Sequence, residues 1–424
     1  MIRNKIEERD IGRKGKLLIL AMLPTLFLIV GIISMMGGQG ELTWYQGLSK
    51  IVFSPTILMT DFLKVGGMSA ALINVAAIGY MNLAIMNHYK LKVNGVLIAA
   101  FFTLIGFSFF GKNILNILPI YLGGYLYTRR QGISFKDILV VIMFGTALSP
   151  MISEISFSGI LPLGKGLFAA LVVGVFIGFV IVPLSSHMLK FHDGYNLYNI
   201  GFTAGIIGTV LTSFLRSFGI RVEPVYIVSE SNNWVILTLL VIMFAALFVA
   251  GIRVNKNALA EYKNILKYKG RLITDFTHLV GYGVTFINMS LLGFLTLTFI
   301  WLIGGIVNGP VLAGIFTVVG FGAFGKHPKN ILPVVLGVIT AIVFFGKDIS
   351  STGMIISILF STTLAPVAGN YGPVIGFIAG MLHMVLVTNV GVIHGGINLY
   401  NNGFSGGLVA GVLLPVIDAF KKER

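Results

Sequence analysis

Two stretches of this chain write nearly the same polar pattern into apolar surroundings, HDGYNLYNIGFTAG at 192–205 and HGGINLYNNGFSGG at 394–407. Each brings an imidazole (His192, His394), two amides (Asn196 and Asn199, Asn398 and Asn401) and a phenol (Tyr198, Tyr400) to the head of an apolar segment. Such groups are costly beside hydrocarbon unless the protein or a polar solute bonds them. A second pair is FGKN at 110–113 followed by Asn116, and FGKH at 324–327 followed by Asn330; Leu-Pro comes shortly after each. Lys112 and Lys326 could form a positive clamp for an anion at helix ends, or lie in lipid headgroups at a surface turn. A third pair is Asn94-Gly95 and Asn308-Gly309. Asparagine offers a donor and an acceptor, and glycine lets a backbone come close; a plain helix cap explains the same residues.

Other chemistry has less support. GFSGG at 403–407 fits G-x-S-x-G with Ser405 as nucleophile, and His383 and His394 are near in sequence. The corresponding element at 201–205 is GFTAG, with Thr203 in place of the serine, so no enzyme is expected. The glycines, four apart in each copy, suit close helix packing instead. There is no H-E-x-x-H, phosphate loop or dinucleotide fingerprint, and no cysteine, so neither a metal nor a cofactor is expected. Glu154 follows TALSP and is matched by Asn370; its position near a span end predicts exposure. Asp61 and Asp275, each in Thr-Asp-Phe, are expected to cap helices.

Groups of this kind need helices to hold them within a membrane. The chain is 56% hydrophobic and only 11% charged, with a mean hydropathy of +0.93, too few charges to cover a water-facing surface. Apolar runs recur from Leu17 to Ile417, several longer than the ~18 residues of a spanning helix. The fold class is all-α, a polytopic membrane protein. Its net charge of +15 lies in short basic clusters between apolar runs, as cytoplasmic loops require, and forms no single patch for nucleic acid. The charged N-terminus precedes a full-length apolar run without a small-residue cleavage site, so the first span is expected to be retained.

The chain is also duplicated. Residues 60–124 align without a gap to 274–338, a shift of 214 positions, and about 25 of the 65 pairs are identical, far above chance for apolar sequence. TALSP (146–150) answers TTLAP (362–366). The two copies occupy 1–215 and 216–424. Spans are expected near 17–36, 68–88, 94–110, 113–127, 138–155, 160–186 and 196–215. The second copy repeats them near 234–252, 280–303, 308–324, 331–346, 353–369, 373–392 and 398–418. Seven spans is an odd number, which predicts copies of opposite orientation. With both termini inside, about 23 of the 30 Lys and Arg residues fall on the cytoplasmic side. Inverted repeats are the usual construction of secondary transporters and of several channels, with one central site between the copies, and a facilitative channel is the leading expectation. The spans that flank FGKN and FGKH are short: fifteen helical residues reach only about 22 Å, which predicts broken helices lining a site.

VNGVLIAAFF (93–102) and VNGPVLAGIF (307–316), each followed by an apolar run with Leu-Pro, resemble segments of bacterial urea transporters, channel-like proteins with two inverted halves. The Leu-Pro-x-x-Thr-x-Pro-Phe signature of that family has only TALSP and TTLAP as counterparts here. As a whole the chain resembles an uncharacterised bacterial membrane family, domain of unknown function 1576. Together these readings predict a multi-pass inner-membrane protein that passes a small polar, urea- or amide-like solute between its halves. Its partners would be the lipid bilayer and that solute, with assembly as a homo-oligomer left open. The alternatives are a secondary transporter of a small anion and, less favoured, an intramembrane serine protease.

Overall fold

The computed structural model describes residues 11–36, 42–223 and 225–420. The basic segments 1–10 and 421–424, which enter the orientation argument, and positions 37–41 after the first span lie outside the described residues. In the first copy the helices are α1 (Gly12–Met36), α2 (Trp44–Phe53), α3 (Phe62–His88), α4 (Gly95–Phe107), α5 (Ile114–Gln131), α6 (Leu139–Gly145), α7 (Ser149–Phe157), α8 (Leu163–His192) and α9 (Asn199–Ser217). In the second they are α10 (Trp234–Val254), α11 (Ala258–Glu261), α12 (Phe276–Leu279), α13 (Gly281–Leu302), α14 (Gly309–Phe321), α15 (Pro328–Phe344), α16 (Thr352–Ser361), α17 (Ala365–Tyr371), α18 (Pro373–Val390) and α19 (Asn401–Phe420). Among the described residues ten helical segments are long and apolar enough to cross a membrane, which makes this a multi-pass membrane protein. The polar stretch at 253–271 forms α11 and a short 3₁₀ turn, and Ala258 and Ile265 pack there against Phe276 and Val284.

The chain starts and stops its helices as its local chemistry dictates. Asp61 and Asp275 cap α3 and α12, their carboxylates accepting from the amides of Leu63 and Thr277, as expected. Arg129 and Arg130 close α5, and Gly132 ends it in the left-handed region at φ 69°. Asn113 and His327 begin α5 and α15 with capping boxes completed by Asn116 and Asn330.

At the centre are two short apolar helices, α4 and α14. Thirteen residues reach about 20 Å, short of the ~30 Å hydrocarbon layer. All of their residues except Val96 are buried, so protein and not lipid surrounds them. They touch through glycine: a Cβ on Gly106 would lie 2.9 Å from the Cα of Ala313, and one on Gly320 would lie 3.2 Å from the Cα of Ala99. The order of contacts reverses along the second helix, so α4 and α14 run antiparallel. The helices α9 and α19 cross where a Cβ on Gly201 would meet the Cα of Gly403 at 3.2 Å.

Each turn between short helices hangs from a buried asparagine. The Asn74 amide donates to the carbonyls of Ser108 and Lys112 at 2.8 and 2.9 Å. That of Asn288 donates to Gly322 and Lys326 at 2.7 and 2.8 Å. Asn288→Leu removes both donors and leaves two buried carbonyls unpaired, at about 1–3 kcal/mol each. The detergent-solubilised variant should melt clearly below the parent; an unchanged transition would show that the amide supports nothing.

Candidate functional site

The FGK segments are tight turns at the inner ends of α4 and α14. Gly111 (φ 82°) and Gly325 (φ 92°) take the left-handed backbone that reverses the chain. The reversal drives Lys112 and Lys326 inward, and both are fully buried. The surface-turn alternative therefore does not hold for either lysine. Asn116 and Asn330 brace the turns, donating to the carbonyls of Gly111 and Gly325 at 3.0 and 2.8 Å.

Each lysine reaches the tyrosine of the other copy. Lys112 Nζ donates to Tyr400 OH at 2.6 Å, and Lys326 Nζ donates to Tyr198 OH and, at 2.7 Å, to Thr362 Oγ1. Lys112 Nζ also sits 5.3 Å from the ring centre of Phe107, and Lys326 Nζ 5.0 Å from that of Phe321. Neither forms an ion pair among the described residues, whose salt bridges are Arg271–Asp193 and His278–Asp275.

The remaining motif residues hold this exchange in place. Asn196 donates to the Gly403 carbonyl and Asn398 to the Gly201 carbonyl, at 3.0 and 3.2 Å, tying each loop to the first turn of the opposite helix. His192 pairs with Asn199 at 3.0 Å and His394 with Asn401 at 2.8 Å. Asn94 and Asn308 accept from the amides of Leu97 and Val311, as helix caps. The glycines beside them have the sharper role. The Gly95 amide donates to both oxygens of Asp275 at 3.1 Å, and a Cβ on Gly309 would lie 2.6 Å from an Asp61 oxygen. Ser405 donates to the Asn401 carbonyl, and His383 and His394 bond asparagines and not the serine. Glu154, expected to be exposed, is buried, on α7 where that helix packs against α8.

Between the copies lies a cavity of about 380 Å³. Its walls come in matched pairs: Thr103 and Thr317, Phe107 and Phe321, Phe144 and Phe360, Leu197 and Leu399, Tyr198 and Tyr400. Of the polar residues singled out from sequence, Tyr198, Asn199 and Tyr400 line it, beside Gly201 and Gly403; the lysines stand behind the rings. The phenylalanines and threonines were missed. The signal was available, because FT-x-x-GF is written identically at 102–107 and 316–321.

The cavity departs from this pairing at its ends. Leu272 and Ile273 line it, and Ile273 is 86% exposed, so it reaches the surface there. The matching residues Leu58 and Met59 do not line it. The linker between the copies lies over them instead: Met59 N donates to Val225 O, Ile227 N to Met59 O and Asp61 N to Ile227 O, all at 2.8–2.9 Å. Ser229 adds its amide and hydroxyl to Asp61 Oδ2 at 3.0 and 2.6 Å.

No curated protein and no solved structure matches the chain. The family model described as a protein of unknown function, DUF1576, matches residues 41–217 and 254–419. With most of its length covered by that match, the chain belongs to the DUF1576 family.

Proposed function

We propose that this protein is a carrier that moves a small solute across the membrane by opening the central cavity to one side at a time. The observation that supports this reading is the inequality of two matched mouths: one open beside Ile273, the other covered by residues 225–229. An open channel would use both mouths together. A carrier needs one shut while the other is open. The antiparallel α4 and α14, the reciprocal Lys–Tyr bonds and the Lys/Arg asymmetry support two halves, 1–215 and 216–424, of opposite orientation. The open mouth adjoins the basic stretch 253–271, which the positive-inside rule assigns to the cytoplasm. Both termini then face the cytoplasm, in the inner membrane. In this reading the protein is a transporter and not an enzyme. The largely hydrocarbon walls disfavour urea or a simple amide as cargo.

The test needs no solute. The chain has no cysteine, so Thr317→Cys on the cavity wall can be probed with a membrane-impermeant maleimide from either side. Labelling should come only from the Ile273 side. Adding Ser229→Ala, which removes a linker bond, should bring labelling from the opposite side. Equal labelling from both sides with the linker intact would point to a channel and end the carrier reading.

A further inference from the structure

We infer that the cavity takes an organic anion with a flat apolar body, its acidic group docking at the corner formed by Thr103 and Tyr400. This rests on the cavity being the solute site. The apolar body follows from the walls: Phe107, Phe144, Phe321 and Phe360 offer ring faces and edges in which an aromatic solute stacks favourably. The charge follows from three independent features of one corner.

Thr103 is 2% exposed and lines the cavity, yet its hydroxyl has no hydrogen-bond partner. Its counterpart Thr317 bonds the Ala313 carbonyl at 2.7 Å, so the helix could have satisfied Thr103 in the same way. A buried hydroxyl left free beside a cavity is a donor in waiting. Tyr400 stands at the same corner, its ring centre 4.6 Å from that of Phe107, which is one helical turn after Thr103. Its oxygen accepts from Lys112 Nζ, which leaves the phenol's own proton to donate. Lys112 Nζ behind it has no carboxylate partner among the described residues, so an arriving anion is what favours its ammonium form, which in turn strengthens the phenol as a donor. The first turns of α9 and α19 also line the cavity, through Ile200 and Gly403, and direct the positive ends of both helices at it. No acidic side chain lines the cavity. A cationic solute would find ring faces but no carboxylate and would meet two helix N-termini, while a neutral solute would leave those termini and Lys112 without a counter-charge.

Equilibrium binding to the purified full chain in detergent, at pH 7 and low salt, tests this with a matched series: 2-naphthoate, 2-naphthamide, 2-naphthylmethylamine and acetate. Empty micelles supply the blank. The expected order places 2-naphthoate at least about tenfold tighter than the amide and the amine, with acetate weaker still. Lys112→Met should erase the preference for naphthoate over naphthamide. Thr103→Val, which keeps the shape and removes only the hydroxyl, should weaken naphthoate severalfold in a protein that melts like the parent. Amide or amine binding as tightly as naphthoate would overturn the inference, as would naphthoate affinity unmoved in both variants or no binding of any of the four. These outcomes are separate from the carrier reading. Naphthoate that binds as expected but is not exchanged across proteoliposomes refutes transport and keeps the ligand class. One-sided maleimide labelling without naphthoate binding does the reverse.

Discussion

Oxidising a variant that carries Thr60→Cys and Ile227→Cys should stop 2-naphthoate exchange in proteoliposomes, and reduction should restore it. Thr60 and Ile227 are bridge partners in a parallel pairing. Adjacent strands lie about 4.8 Å apart, inside the ~4.4–6.8 Å window of Cα separations that a disulfide spans. The bond would fix the linker over the covered mouth, so the cavity could open only beside Ile273. Exchange needs both openings in turn, and the expected fall is to the rate of protein-free liposomes. With no native cysteine, the oxidant has no other thiol in the chain to act on. Full exchange in the oxidised form would mean that the solute passes elsewhere and that the linker only packs.

The largest structural effect is expected at the α4–α14 contact. A Cβ on Gly106 would stand 2.8 Å from the Cβ of Phe316, and one on Gly320 would stand 2.6 Å from the Cβ of Phe102. Both glycines also press on backbone of the opposite helix, which cannot swing aside as a side-chain tip can. Overpacking costs about 1–3 kcal/mol per site where neighbours can yield, and more where they cannot. Gly106→Val with Gly320→Val should therefore leave no monodisperse folded protein on size exclusion. Gly164→Val, at an open position with nothing within 4 Å of its added Cβ, serves as the control and should elute like the parent.

Much of this architecture was legible in the sequence. Ten of the fourteen expected spans are helices long and apolar enough to cross, because apolar runs are a local property of the string; those near 94–110, 113–127, 308–324 and 331–346 are not among the ten. The caps at Asp61 and Asp275 were equally local. The site was harder for a physical reason: its decisive contacts join the two copies. Lys112 and Tyr400 are 288 positions apart, Lys326 and Tyr198 are 128, and no periodicity links a lysine to a remote phenol. The motif residues were found: Asn94 and Asn308 take the helix-cap role that was one of their two expected readings, and Asn116 and Asn330 hold turns. The cavity wall was overlooked because Phe107, Phe321, Thr103 and Thr317 read as ordinary span residues. Glu154 shows the converse error, since a position near the end of a span says nothing of what packs over it.

The linker has an energetic consequence. Two shapes related by exchanging the roles of equivalent halves would be degenerate, each populated equally without a ligand. Residues 225–229 exist once, on one side only, and their bonds to Met59 and Asp61 would lift that degeneracy. At about 0.5–1.5 kcal/mol net per hydrogen bond, a preference of about 2.8 kcal/mol is within reach, and that is a hundredfold ratio. In the carrier reading proposed above, the linker between the two copies thus also sets the resting equilibrium, and with it the side of the membrane from which the cavity is most often filled.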